Sequence, residues 1–457
     1  MLTGAIDKLS EQLDMDQDAR LQRVSELVEA ALKAGADAAD AACARSRSVG
    51  VSVREGKVED SEASESDDVS LRVFIGGRVA SVSATTGYEA ERLAERAVAM
   101  ARVAPVDESR TLADSDRLAT EIADLGLYDH SWPETDDLVD AALAMETAAM
   151  SVNGVAQVMG AGASCGRSGL TLVTSGGFSG SYLGSRFSRS VSALSGHGTA
   201  MERDYDFSSA RHLIDLRDPG EIGRMAGERA VRRLGGRKAP TGSVTVVFDP
   251  RVARGLAGTM GSAINGNSVV RKTSFWREKM GERVAKSGIT LTDDPTRRRA
   301  PGSRPFDGEG VRGEPLTMIE DGVLRNWFLS TSTARELGLE TNGRGARGGA
   351  QVLPSSTNLA IAPGDVAPKD MIAAISRGFY VTEVIGQGVN MVTGDYSRGA
   401  SGFWIENGEL TYAVTEVTIA ANLKDMFLNM TAANDLDRSF ATAAPTLLVE
   451  GMTLAGE

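Results

Sequence analysis

The sequence predicts an α+β protein, with N-terminal helices packed on antiparallel hairpins and a C-terminal antiparallel sheet of open-barrel type. Three observations carry this prediction. Alternating polar and apolar stretches are joined by short turn signals at Glu55-Gly56, Gly76-Gly77, Asp321-Gly322 and Asn407-Gly408. Helical periodicity is confined to stretches that bracket these hairpins, which argues against alternating βαβ units. The chain holds 51 glycines and only 5% aromatic residues, a balance that favours tight turns and close backbones over a helical bundle.

In chain order, Asp16 to Ala34 put Leu21, Val24, Leu27, Val28, Ala31 and Leu32 on one face and end at Gly35, so a helix is predicted there. Strand-like DAACARSR, VGVSVREGKVED and VSLRVFIGGRVASVSA follow, and a helix over Tyr88 to Val103 closes the unit. The same order returns, with a helix over Asp136 to Ser151, strand-like VAQVMGAGAS, GLTLVTSGGFSGSYLG and SVSALSGHGTA, and a helix over Pro219 to Leu234. Both closing helices contain ERAV, so an N-terminal domain over 1–236 is expected to repeat one unit across 16–104 and 128–236. The stretch from Gly235 to Pro240 reads as a linker to a C-terminal domain over 241–457.

That domain opens with strand TVVFDP and a helix start at Asp249-Pro250, a capping carboxylate followed by proline where a missing N–H costs nothing. The run LAGTMGSAINGN, Leu256 to Asn267, then carries no charge in a chain that is 24% charged. Val252, Leu256, Met260 and Ala263 or Ile264 form an apolar stripe, predicting a packed helix. Gly255, Gly258 and Gly261 interrupt it at about 1 kcal/mol each relative to alanine, which points to something approaching the helix backbone closely. Beyond lie a polar loop from Lys286 to Pro315, the hairpins PLTMIEDGVLRNWFLS and GFWIENGELTYAVTEVTIAANL, and a short helix over Ile372 to Ser376.

Composition excludes several classes. A formal charge of −13 argues against a general nucleic-acid binder, and the densest basic run, Arg297 to Arg299, reads as a solvated loop. Cys43 and Cys165 have no metal-type spacing, so a reducing compartment without a disulfide framework is expected. The N-terminal residues lack the apolar core of a signal peptide, no window has the apolar length of a membrane span, and the cytosol is the expected location.

Most motif strings fail on context. GASCG, Gly162 to Gly166, has the GxSxG form, but no strand-to-helix turn and no suitable partners accompany it, so it reads as a turn and Ser164 as inert. GEGVRG (Gly308 to Gly313) and GRGARG (Gly343 to Gly348) match GxGxxG, yet neither opens a helix, which argues against a dinucleotide site. His130, His197 and His212 are scattered, and no histidine or cysteine follows His212. A metal in the C-terminal half would therefore need oxygen ligands alone, which suits calcium or magnesium more than hydrolytic zinc. The carboxylate pairs Asp307/Glu309 and Asp395/Glu406 flank turns, where acids are usually only solvated.

Four segments, PFDGEGV (Pro305 to Val311), FLSTSTARELGLETNGRG (Phe328 to Gly345), GQGVNMVTGDYSRGASGFWIENGEL (Gly386 to Leu410) and VTEVTIAANLKDMF (Val414 to Phe427), closely resemble the TldD/PmbA family of metallopeptidases. GRSGLTLVTSGGF (Gly166 to Phe178) extends the likeness into the N-terminal half, and within the family the strings resemble the PmbA, or TldE, branch. The resemblance implies a cytosolic protein and pairing of the two branches as a heterodimeric metalloprotease on unfolded or extended peptides. In the metal-bearing branch the C-terminal helix carries HExxxH, with a late cysteine as a further zinc ligand. Here those three positions are Ala257, Gly258 and Ser262, and the late cysteine has no counterpart.

The resemblance thus implies a chain without catalytic residues or cofactor of its own, with zinc in a TldD-like catalytic partner. The glycine-rich segments at Asn342 to Arg344 and Asn390 to Arg398 are the expected peptide contacts, through Asn342, Arg344, Asn390, Asp395 and Arg398; an ion pair or turn cap is the competing role for Asp395 and Arg398. A homodimeric interaction or assembly protein without a proteolytic role is the main rival, and an independent carboxylate hydrolase ranks last. The family's older label as a modulator of DNA gyrase does not imply nucleic-acid binding in so acidic a chain, and no membrane partner is expected.

Overall fold

The computed structural model describes residues 17–85, 87–349 and 351–456; Asp16 and the stretch read for a targeting signal lie outside them. Helix α1 (Gln17–Lys33) leads into strands β1 (Ala38–Arg54), β2 (Lys57–Ile75) and β3 (Arg78–Thr85) and helix α2 (Ala90–Val103). Helix α3 (Thr135–Met150), strands β4 (Val155–Thr174), β5 (Ser179–Ser195) and β6 (Glu202–Ala210) and helix α4 (Pro219–Arg232) repeat that order. The strands form one six-stranded antiparallel sheet, β3-β2-β1-β4-β5-β6. Its two halves read alike outward from the central β1/β4 pair; a duplicated unit would generate this order, and we propose one.

Turn chemistry fixes the hairpins. Glu55 and Gly56 have φ of 53° and 71°, the doubly positive backbone that matches the twist of two paired strands. One face of the sheet carries all four helices. Val24, Leu27, Val28 and Ala31 of α1 and Ala94, Ala97 and Val98 of α2 pack on Ala39, Ala41, Leu71 and Val73. Ala142 and Met145 of α3 and Ile222 and Ala226 of α4 pack on Val51, Val53, Ala163 and Phe187. GASCG lies inside β4 and is not a turn: Gly162 and Gly166 sit where an added Cβ would meet Val51 O and Arg47 O at 3.3 Å, so the glycines serve close strand approach. Ser164 Oγ shares a 2.8 Å hydrogen bond with Ser188 Oγ on the neighbouring strand.

The opposite face meets the second half of the chain, where Ala42, Leu172 and Phe178 pack against Phe306. That half comprises β7 (Gly242–Phe248), α5 (Pro250–Ala263), α6 (Gly266–Val270), β8 (Leu291–Asp293), β9 (Leu316–Glu320), β10 (Val323–Leu324), α7 (Thr331–Glu336), β11 (Gly345–Gly348), β12 (Gln351–Pro354) and β13 (Leu359–Ile361). It ends with α8 (Pro368–Ala373), β14 (Arg377–Ile385), β15 (Asp395–Glu406), β16 (Glu409–Asn422), α9 (Leu423–Leu428), β17 (Met430–Ala432), β18 (Thr442–Ala443) and β19 (Leu447–Ala455). The short helix thus begins earlier than the Ile372 to Ser376 expected, because Pro368 takes its first turn and Arg377 already pairs in β14.

The main C-terminal sheet runs β16-β15-β14-β7-β19-β17, and β16 also pairs with β19, so the barrel expected to be open closes on itself. A second sheet, β10-β9-β8-β13-β18, lies beside it. Met260 and Ala257 of α5 share one core with Phe379 and Val381 of β14 and Leu447 and Val449 of β19.

Candidate functional site

Helix α5 begins as its sequence dictates. The Asp249 carboxylate accepts from Arg251 N at 2.9 Å and Pro250 takes the first turn. Its buried face is Ala253, Leu256, Ala257, Met260, Gly261 and Ala263, slightly rotated from the predicted stripe, since Val252 is only half-buried. The opposite face is Gly255, Gly258, Thr259 and Ser262. An added Cβ at Gly255 or Gly258 would meet nothing within 4 Å, whereas at Gly261 it would lie 2.7 Å from Leu359 Cδ2. One glycine of the three is therefore a tight packing contact. The other two leave a bare, open stripe of backbone.

The three positions tied by resemblance to the HExxxH motif fall on this helix. Ala257 is fully buried, Gly258 half-buried and Ser262 exposed, its hydroxyl donating back to Gly258 O at 3.0 Å. Positions five apart on a regular helix point about 140° away from each other, so an imidazole at 257 would have to displace packed core. A methyl, a hydrogen and a hydroxyl do not make a zinc donor set. Among the described residues no group of three or more His, Cys, Asp and Glu side chains gathers as a metal ion would require. His212 Nε2 donates to Gly126 O at 2.8 Å, and His130 packs edge-on against Tyr128.

The turn between β14 and β15 joins the C-terminal end of α5 through one short segment. Ser274 Oγ donates to Ala263 O at 2.6 Å, and Phe275 N donates to Met391 O at 2.9 Å. Asn390 is exposed; its Oδ1 accepts from Val392 N and Thr393 N, closing an Asx turn. Asp395 is exposed too and accepts from Thr393 Oγ1 at 2.6 Å and Asn422 Nδ2 at 3.3 Å, which makes it the turn's cap. Arg398 donates from Nε to Ile385 O at 3.4 Å, and no ion pair joins it to Asp395 among the described residues. Gly388 is required here, since a Cβ would fall 1.4 Å from Ser397 O.

Asn342 and Arg344 occupy different ground. Asn342 clamps its own loop, accepting from Leu329 N at 3.0 Å and donating to Trp327 O at 2.8 Å. Arg344 is completely buried, with Nε on Asp293 at 2.7 Å and its other nitrogens on the carbonyls of Asn342, Asp293 and Glu314. Both residues are expected peptide contacts; in this fold their side chains hold neighbouring backbone, and Arg344 also braces the Asp293 carboxylate.

The carboxylate pairs part company as well. Asp395 and Glu406 are the two ends of β15, roughly 35 Å apart at about 3.3 Å per residue, and cannot act together. Asp307 and Glu309 do converge, and both are buried instead of solvated. Asp307 accepts from Glu309 N, Val311 N and Gly345 N at 2.8, 3.0 and 2.8 Å. Glu309 accepts from Thr331 N and Oγ1 at 2.8 and 2.9 Å. Burial raises both carboxyls, and the Asp307 charge helps push Glu309 up to about 7. The proton of the pair belongs on Glu309, because Asp307 has more N–H donors to stabilise its charge. The two GxGxxG strings meet here without opening a helix: Gly308 N donates to Gly345 O at 2.7 Å.

Beside this pair lies a network that the sequence alone did not reveal. Asp40 of β1 stands directly opposite Arg72 of β2, is held by its guanidinium, and accepts from Arg347 Nη2 of β11 at 2.9 Å. Burial alone would raise Asp40, yet the Arg347 and Arg72 charges overcome it and hold the carboxyl below its ordinary value. The only hint in the sequence is a lone charge within each of the apolar runs AADAACA and VSLRVFI. Their pairing required the strand register.

The sheet-and-barrel fold, with one face of α5 packed into the C-terminal core, defines a class of two-part α+β protein built like a known group of metallopeptidases. Three family models match in succession: PmbA/TldA metallopeptidase domain 1 over 39–101, the central domain over 131–234 and the C-terminal domain over 241–456. The chain belongs to the PmbA/TldD metallopeptidase family. It is 34% identical to metalloprotease PmbA of Escherichia coli O157:H7 over 92% of this chain and 93% of that one. It is 34% identical to the metalloprotease PmbA homolog of Haemophilus influenzae over 95% and 96%. A Bacteroides thetaiotaomicron structure, described as a candidate modulator of DNA gyrase, superposes with a TM-score of 0.88 at 30% identity, over 97% of this chain and 99% of that one. TldE from Thermococcus kodakarensis has the same fold, with a TM-score of 0.83 at 22% identity, over 94% and 99%.

Proposed function

We propose that this chain is the metal-free, non-catalytic subunit of a TldD/TldE-type two-chain metalloprotease that degrades or processes unfolded or extended peptides in the cytosol. One observation carries the reading: Ala257, Gly258 and Ser262 stand where the sister branch is expected to hold HExxxH, and the Ala257 methyl is part of a closed core. Zinc bound by a TldD-like partner would polarise the scissile carbonyl and activate water. This chain's own contribution is a wall: the bare backbone stripe of Gly255, Gly258 and Ser262 lets another surface approach closely. The exposed turn at Asn390 and Asp395, with Arg398 beside it, is a surface for peptide. Buried free thiols at Cys43 and Cys165 fit a reducing compartment.

The test uses the full chain alone and co-expressed with a sister chain bearing HExxxH. Alone, it should carry no stoichiometric zinc and leave an unfolded peptide intact; together, the two should co-purify and cleave. Stoichiometric zinc with cleavage by the chain alone would overturn the reading. A sister chain that is fully active by itself and never associates would instead favour the homodimeric assembly protein.

A further inference from the structure

A cavity of about 560 Å³ lies where β6, the first turn of α5, the loop 297–301 and the segment 435–444, which includes β18, meet. Arginines outnumber carboxylates on its wall, although the chain as a whole carries −13. Several are neutralised locally. Arg217 and Arg229 pair with Asp206 at 2.9 Å each, Arg251 with Asp204 at 2.8 Å and Arg299 with Asp215 at 3.3 Å.

Arg254, Arg297 and Arg438 are different: no ion pair reaches any of them among the described residues. Arg254 is fixed by donating to Arg251 O at 3.1 Å and by lying over the Phe207 and Phe440 rings, at 5.5 and 4.8 Å from their centroids. Arg297, half-buried and not simply solvated as its run suggested, donates to Arg438 O at 3.3 Å. Burial and the Arg438 charge both work against its protonated form, and Asp294 offsets only part of this. Like charges held this close gain most from an anion between them.

The strand beside them supplies the second observation. β6 is the outermost strand of its sheet, and the consecutive residues Asp206 to Ala210 all line the cavity. Side chains of a strand alternate between faces, so consecutive residues share one cavity only when the strand's edge points into it. An edge offers backbone donors and acceptors to another extended chain.

We propose that this groove binds an extended peptide alongside β6 and receives a peptide carboxylate, terminal or side-chain, on Arg254, Arg297 and Arg438. The planar guanidinium fork matches a carboxylate, and the Phe207/Phe440 pair offers apolar contact next to it. Nucleic acid fits less well, because phosphate tracking needs a run of free cations and the neighbouring arginines are already paired. The proposal rests on the peptide-handling reading above and adds to it a preference for acidic peptides.

Fluorescence anisotropy of the full chain with labelled extended peptides tests it. An acidic peptide with a free C-terminus is compared with its amidated form, its Asn/Gln form and a basic peptide, with a single-stranded oligonucleotide as competitor. The acidic peptide should bind best. Arg297→Gln and Arg438→Gln should each weaken it roughly tenfold, the order of one charge-assisted hydrogen bond, while Arg325→Gln on another surface should leave it unchanged. Loss on amidation assigns the terminal carboxylate, and loss in the Asn/Gln form the side chains. Equal binding of acidic and basic peptides, no peptide binding, stronger binding of the oligonucleotide, or unchanged binding by the Arg297→Gln/Arg438→Gln double variant would each overturn the proposal. Arg438 is exposed, so its variant keeps the test valid if Arg297→Gln fails to fold. The readout needs no sister chain, so failure of association or cleavage leaves this inference standing, and failure here leaves cleavage of neutral peptides by the pair untouched.

Discussion

Gly255, Gly258 and Gly261 share one helix and one residue type, yet they have different reasons to be there. Gly255→Ala and Gly258→Ala meet open space and should stabilise the isolated chain by about 0.5–1 kcal/mol each, as an alanine restricts the unfolded backbone. Gly261→Ala should destabilise by about 1 kcal/mol or more, because Leu359 is only 1% exposed and has little room to yield. Urea denaturation of the three variants checks the ordering. If the open stripe is a wall against another chain, Gly258→Ala should also weaken association with the partner while the isolated chain gains stability. Glu309 gives a pH signature. Its carboxyl is raised in the folded chain, so the stability it contributes is complete below its unfolded value of about 4.3 and fades as pH rises through about 7. Glu309→Gln should flatten the fall in melting temperature between those pH values, and an unchanged profile would refute the assignment of the proton to Glu309.

At the scale of elements, the C-terminal barrel depends on its last strand. Leu447, Val449, Met452 and Leu454 of β19 are all fully buried, and the strand pairs with β7 on one side and with β16 on the other. Leu454→Ala should therefore cost about 2–5 kcal/mol, measured as a lowered midpoint in chemical denaturation. The exposed turn before β15, proposed above as a surface for peptide, depends on its caps in the same way. Asn390→Ala removes the acceptor for two backbone N–H groups at an exposed site and should cost about 1 kcal/mol. A change in peptide binding much larger than this loss of order predicts would mark Asn390 as a direct contact. Turns and most helices were legible in sequence because each depends on neighbours along the chain: Asp249 caps α5, and Asn407 and Gly408 close their hairpin with φ of 51° and 83°. Barrel closure was not, since the pairing of Ile419 with Leu454 leaves no local mark.

Across the whole molecule, the two halves are tied by Asp40, Arg72 and Arg347, which sit on three different strands and are shielded from water. Asp40→Ala would leave two buried guanidiniums without their carboxylate and should cost about 3–5 kcal/mol, far more than the small gain any exposed pair provides. Denaturation followed by a probe in each half should also lose coincidence if this contact couples them. The same docking of halves frames the groove between β6 and the loop carrying Arg297. Here the sequence misled: Arg297 to Arg299 look like one solvated run, yet Arg297 turns inward beside Arg438, far along the chain. Arg344, a charge in a glycine-rich loop, is a fully buried brace on Asp293, a placement that no local pattern announces.

The sequence by itself determined the α+β class, the helix and hairpin order, the family likeness and the absence of any imidazole or carboxylate within α5. All of these follow from residue identity or from interactions between near neighbours on the chain. Tertiary structure alone decided which glycines face open space, which acids share a proton, which arginines are spent as braces and which remain unpaired around a cavity. Those outcomes turn on burial and on the meeting of segments remote in sequence, where the energy of a charge depends on what surrounds it and not on its chemical name.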